Sequence, residues 1–134
     1  MVTRKMMRVQ SVLLPVLRAE LPEVTFTGKL PPVDFREYPL VNIRRIGGSS
    51  IDVQFLDRPT IEILAVDDTP VHSEDLYLDV RQVIFDLVQS QTVIEGVGHL
   101  HSFNEAMGPT PIESPLSGTW ATQGLIQIGL RPSR

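Results

Sequence analysis

One stretch constrains the fold of this chain more than any other. SEDLYLDVRQVIFDLVQ, residues 73–89, holds a helical period throughout. Leu76, Val80, Val83 and Leu87, flanked by Tyr77, Ile84 and Val88, form a wide apolar stripe, and Asp79, Arg81, Gln82, Asp86 and Gln89 take the other side. Ser73 is placed to cap this helix, with Glu74 and Asp75 in the first turn, where the helix dipole favours negative charge. A stripe of that width must be buried against a second layer. The rest of the chain offers mainly segments with a period of two, the signature of half-buried strands.

Those segments fall in a readable order. Met6, Val9, Leu13, Val16 and Leu17 follow helical spacing, with Arg4, Arg8 and Arg18 mostly off the stripe. Pro15 should kink this first helix or restart it near Leu14, and Pro22 requires it to end by Leu21. VTFTGK reads as a short strand with Val24 and Phe26 on one face. LPPVDFREYP resists regular pairing because of Pro31, Pro32 and Pro39. A strand is expected from Leu40 to Ile46, a turn at Gly47-Gly48, and a second strand in which Ile51, Val53 and Phe55 alternate with Asp52 and Gln54. LDRP then punctuates, and Ile61, Ile63 and Ala65 face inward on the next strand. After the long helix, TVIEGVGHLHSF is extended. NEAMGPTPIESPLSG, with three prolines, is expected to be a long loop, and WATQGLIQIGLR alternates again, with Trp120, Thr122, Ile126, Ile128 and Leu130 on one side. The order predicts an α+β fold, a mostly antiparallel sheet with two helices packed on one face, and a single domain over residues 1–134.

Composition narrows the function. The 134 residues carry a formal net charge of −4, which disfavours a primary nucleic-acid-binding role because phosphate affinity comes from clustered Lys and Arg. There is no cysteine, so disulfides, thiolate metal sites and cysteine nucleophiles are excluded. The basic and then apolar N-terminus resembles a signal peptide superficially, but its apolar part is short and broken by Pro15, so an amphipathic helix is the better reading. No run approaches the ~20 apolar residues of a membrane span.

The search for chemistry yields little. Glu95, His99 and His101 share a parity on one extended segment, and His-x-His on a strand can bind a metal, yet no third ligand has signature spacing. A solvent-facing or interface pair is the simpler account. Asp67-Asp68 suits a turn leading into the helix better than a magnesium site. Neither G-x-S-x-G, S-x-x-K, a P-loop nor G-x-G-x-x-G occurs, and no catalytic or cofactor-binding residues are assigned. The prolyl segment after Phe103 is longer than most loops of a compact domain, and Met107, Ile112 and Leu116 give it apolar anchors for docking on a neighbouring subunit. The stretch YPLVNIRRIGGSS places two adjacent arginines on opposite faces of a strand. Arg44 and Arg45 are therefore expected to divide their roles, one pairing with a carboxylate in its own subunit and the other facing an adjacent subunit or ring.

Taken in order, VLRAELPEVTFTGKLP, YPLVNIRRIGG, LDRPTIEILAV, SEDLYLDVRQVIFDLV and WATQGLIQIGLRP resemble the tail terminator proteins of long-tailed bacteriophages, in particular those of actinobacteria. The resemblance runs over nearly the whole chain, apart from the histidine-bearing strand and the segment after it. It implies a non-enzymatic virion protein, assembled in the host cytoplasm, that forms a hexameric ring in the tail neck. The implied partners are other copies of the chain, the major tail tube protein and a head-side connector or stopper protein, with genomic DNA passing through the channel without specific binding and no membrane involved. The competing readings are another neck or head–tail completion protein, and a small metal-dependent enzyme using Glu95, His99 and His101.

Overall fold

The computed structural model describes residues 8–30, 37–53, 55–91, 93–94, 98–114 and 116–132. The expectations made for Arg4, Met6, Pro31, Pro32, Gln54 and Glu95 lie outside them. The fold is α+β, as the patterning requires. Its elements run α1 (Val9–Glu20), β1 (Thr25–Thr27), β2 (Leu40–Asp52), β3 (Leu56–Asp67), α2 (Pro70–Ser90), β4 (Val93–Ile94), β5 (Gly98–Ile112) and β6 (Trp120–Pro132). The strands form one sheet in the order β1-β2-β3-β6-β5-β4, antiparallel except where β1 lies parallel to β2.

Both helices cover the same face of this sheet. Val9, Val12, Leu13 and Leu17 of α1 and Leu76, Tyr77, Val80, Ile84, Leu87 and Val88 of α2 share one core with Val41, Ile43, Ile61, Ile63, Ala65, Ile126, Ile128 and Leu130 of the strands. Pro15 lies exposed inside α1 without ending it, and the helix stops at Glu20. Helix α2 begins earlier than its apolar stripe suggests. Its cap is Thr69, whose hydroxyl accepts from the His72 N–H, and Pro70 follows at the first position, where a missing N–H costs nothing. Ser73 is buried instead, bonded to the Pro70 carbonyl and to the Thr122 hydroxyl at 2.9 Å each.

Tyr77 fixes α2 to the sheet. It is fully buried and its ring occupies space left by Gly124, where an added Cβ would lie 2.0 Å from the Tyr77 hydroxyl oxygen. That hydroxyl donates to Glu105 on β5 at 3.1 Å, and Arg81, one turn further along α2, reaches the same carboxylate at 2.9 Å. Burial, with the Glu105 charge beside it, pushes the Tyr77 pKa up, so the hydroxyl stays a donor.

Two departures from the sequence reading reshape the sheet. The glycine pair is not a turn. Strand β2 continues through it, Gly47 facing Thr60 and Gly48 facing Pro59, with a register shift between Arg45 and Gly47. Gly48 has φ of 101°, and a Cβ there would meet the Arg58 carbonyl at 2.1 Å, so glycine serves a bulge inside a long hairpin. The hairpin closes beyond the Asp52–Leu56 pair, and Val53 and Phe55 sit exposed at its tip rather than in a half-buried strand. The expected long loop is also strand for most of its length. Strand β5 runs through Met107, Pro109 and Pro111 to Ile112 and pairs with β6 throughout, with three register shifts. Among the described residues, pairing with β4 reaches only Gly98 and His99, which leaves the rest of that edge of β5 without a strand partner, where a proline's missing N–H removes no ladder bond.

Candidate assembly surfaces

Among the described residues no helix covers the second face of the sheet; Arg44 and Met107 lie on that face, whereas Arg45, opposite Ile61 of the shared core, lies on the other. Arg44 and Glu62 are partners in the β2–β3 register, and the Arg44 Nε donates to the carboxylate at 3.0 Å. Gln123 on β6 donates to the same carboxylate at 2.8 Å. The hydrogen bond to Glu62 raises the Arg44 pKa above its ordinary value. Arg45 reaches across the bulge to Asp57, with Nη2 2.9 Å from Oδ1, and Ser50 donates to the same oxygen at 3.2 Å. Both arginines thus pair with carboxylates of their own subunit, the bulge bringing Asp57 within reach of Arg45, while the Arg44 side chain stays 58% and that of Arg45 37% exposed. The pairs still differ in depth, since the Asp57 side chain is 3% exposed and that of Glu62 11%.

At one end of this face lies a small second core. Leu40, Leu64, Val66, Leu116 and Ala121 are buried together, with Leu30 and Ile112 packed against them. Leu116 is therefore occupied within the subunit, drawn in by the short connection between β5 and β6. That connection is tied by the Ser114 and Thr119 hydroxyls, 2.7 Å apart, and by Thr119 donating to the Leu116 carbonyl. Met107 is half-buried and stands opposite Leu125. Beside the second core, Pro70, Pro111, Ile112 and Trp120 frame an open apolar groove of about 730 Å³. Trp120 is 52% exposed.

The opposite end carries the hairpin tip, where Val53 is 73% and Phe55 54% exposed. Sequence reasoning missed the tip because Ile51, Val53 and Phe55 keep the alternation of a buried strand. The usable signal was symmetry. The apolar runs at residues 40–46 and 61–66 lie equally far from residues 53–54, as the arms of one long hairpin must.

The possible metal ligands separate into two groups. His99 and His101 stand on β5 on either side of Leu100, with the register shift between Leu100 and Ser102, and Glu95 is outside the described residues. The His101 Nε2 is buried without a hydrogen-bond partner, against Gly129. Burial, assisted by Arg131, His99 and Arg58, pushes the His101 pKa down. Asp67, Asp68 and His72 bring three ligand atoms within 4.8 Å of one another at the start of α2. They also form a hydrogen-bonded turn. Asp67 accepts from the Asp68 N–H and Asp68 holds the His72 Nδ1, both at 2.7 Å, which raises the His72 pKa and lowers that of Asp68.

The α+β fold leaves exposed apolar side chains at both ends of the sheet, and the comparisons with known proteins give its class. The family model described as "Phage tail termination protein" matches residues 5–134, so the chain belongs to that family and has a structural role in a phage tail. Two relatives are named "Gene 22 protein". That of Mycobacterium phage L5 is 38% identical, covering 97% of this chain and 96% of its own, and that of Mycobacterium phage D29 is 39% identical, covering 96% of each. The family match includes strand β5 and the segment after it, which the sequence resemblance left out. Among the described residues, no helix is long and apolar enough to cross a membrane.

Proposed function

We propose that this chain is the subunit of a hexameric ring that caps the finished tail tube. The ring stops further polymerisation of the major tail tube protein and presents its other side to the head-side connector or stopper protein. Genomic DNA passes through the channel. The chain acts by shape and contact, without a catalytic step or a cofactor, in the neck of the virion. The observation that carries this reading is the family match over residues 5–134. The molecule's form supports it, because a subunit with different apolar features at its two ends is suited to a contact in which unlike patches meet, the kind that generates rings. A net charge of −4 also suits a channel that DNA must traverse without adhering.

The test is genetic and visual. Phage lacking this gene should make tail tubes of uncontrolled length that fail to join heads, and supplying the protein in trans should restore uniform tails. Tails of normal length with a defect confined to DNA retention would assign the chain to another position in the neck.

A further inference from the structure

We propose that the β2–β3 hairpin tip of one subunit docks into the groove framed by Pro70, Ile112 and Trp120 of a second copy; this contact rests on the ring reading. The two features are placed for it. In the sheet, Asp57 pairs with Leu130 at one end and Asp67 with Trp120 at the other, so tip and groove terminate the same strands at opposite ends. The tip offers Val53 and Phe55, and the groove offers an indole, two prolines and Ile112 as the apolar part of a lining that also holds Glu113 and three hydroxyl side chains. Large side chains seated in such a pocket are the usual source of interface energy.

Charge selects the second copy as occupant. The tip end carries exposed Arg58 and Arg131, the exposed carboxylate Asp52, and half-buried His99 and His101, so its exposed charges still sum to positive. The groove end carries Asp67, Asp68 and Glu113, with His72 bonded to Asp68. Head-to-tail docking sets the arginines against the carboxylates. A two-fold contact, tip against tip, would bring Arg58 and Arg131 against their own copies, where like charges cost several kcal/mol, of the order known for interfaces. Strand addition along β5 is a poorer rival, since Pro109, Pro111 and the three register shifts blunt that edge. Because the docked patches differ, each subunit retains a free tip and a free groove after one contact. The contact therefore propagates until a ring closes.

The test uses the whole chain and two variants, Phe55→Asp to spoil the tip and Trp120→Ala to spoil the groove. Both side chains are exposed, so circular dichroism should show an unchanged fold, and Val53→Asp carries the same test if Phe55→Asp does not fold. Each variant alone should be monomeric by mass photometry at concentrations where the wild type assembles. An equimolar mixture should give one-to-one dimers and nothing larger, because only one intact tip and one intact groove remain per pair. Dimers should fall apart at high salt, as charge steering predicts. Variants that assemble like the wild type would overturn the docking while leaving the ring reading standing. Two monomeric variants that stay monomeric when mixed would also overturn it. A wild type that remains monomeric even on purified tail tube ends would overturn both.

Discussion

The two faces of the sheet are built on opposite terms. The helix-covered face is an aliphatic interior in which Val12, Leu13, Ile43, Ile61, Ile63, Val80, Ile84, Ile126, Ile128 and Leu130 are all fully buried. The other face has a small apolar cluster at one end and, beside it, the Arg44–Glu62–Gln123 network, which keeps the middle of the sheet polar. The difference teaches where stability and assembly reside. Burial on the first face holds the chain together, and the proposed ring contacts fall at the two ends of the sheet.

The comparison can be broken most severely on the first face. Ile126→Ala should cost about 4 kcal/mol, the usual scale for emptying a fully buried aliphatic position, read as a lower urea midpoint. If the loss were small, the helix-covered face would not be the stabilising one. The arginines come next. Arg45→Ala leaves the Asp57 carboxylate, 3% exposed, without its cation and with the Ser50 hydroxyl still donating to it, and should cost about 2 kcal/mol. Arg44→Ala should cost under about 1 kcal/mol, because the Arg44 side chain is 58% exposed and Gln123 still serves Glu62. Equal losses would contradict the contrast in depth. Leu116→Ala should cost about 2 kcal/mol, less than Ile126→Ala, because its cluster lies at the rim and can partly collapse.

The smallest effect concerns pH. The raised His72 pKa means that its stabilisation is present below the ordinary histidine pKa and fades as pH rises through the folded value. The lowered Asp68 pKa means that its share is present above the ordinary carboxylate pKa and fades as pH falls. Wild type should therefore melt slightly above His72→Gln near pH 5 and converge with it by about pH 8. His101 acts in the other sense. With its pKa lowered, its neutral form is favoured, so its contribution is full above the ordinary histidine pKa and lost as pH falls. His101→Gln should remove that loss of stability on the acid side.

The helices and the helix-facing strand residues were legible because periodicity reports burial directly. Leu76, Tyr77, Val80, Ile84, Leu87 and Val88 of the expected stripe are all buried, as are Ile61, Ile63, Ala65, Ile126, Ile128 and Leu130. What was not legible depended on partners distant in sequence. Gly47 and Gly48 read as a turn because glycine permits one, but the register with Pro59 and Thr60 makes them a bulge. Pro109 and Pro111 read as loop because proline weakens strands, a penalty that vanishes on an open edge. Leu116 read as an outward anchor because nothing local showed the pocket formed by Leu40, Leu64, Val66 and Ala121. The Trp120 groove depends on a similar convergence, of Pro70 with the β5–β6 connection.

The head-to-tail contact is open to one direct measurement, helped by a chain that contains no cysteine. A single variant carrying Asp52→Cys at the tip and Ser117→Cys in the groove keeps both Phe55 and Trp120; it would be oxidised under assembly conditions and digested, and the cross-linked peptides identified by mass spectrometry. The account predicts a disulfide joining the peptide that contains position 52 to the peptide that contains position 117, formed only between subunits. Cross-links joining position 52 to position 52, or none in assembled rings, would contradict it.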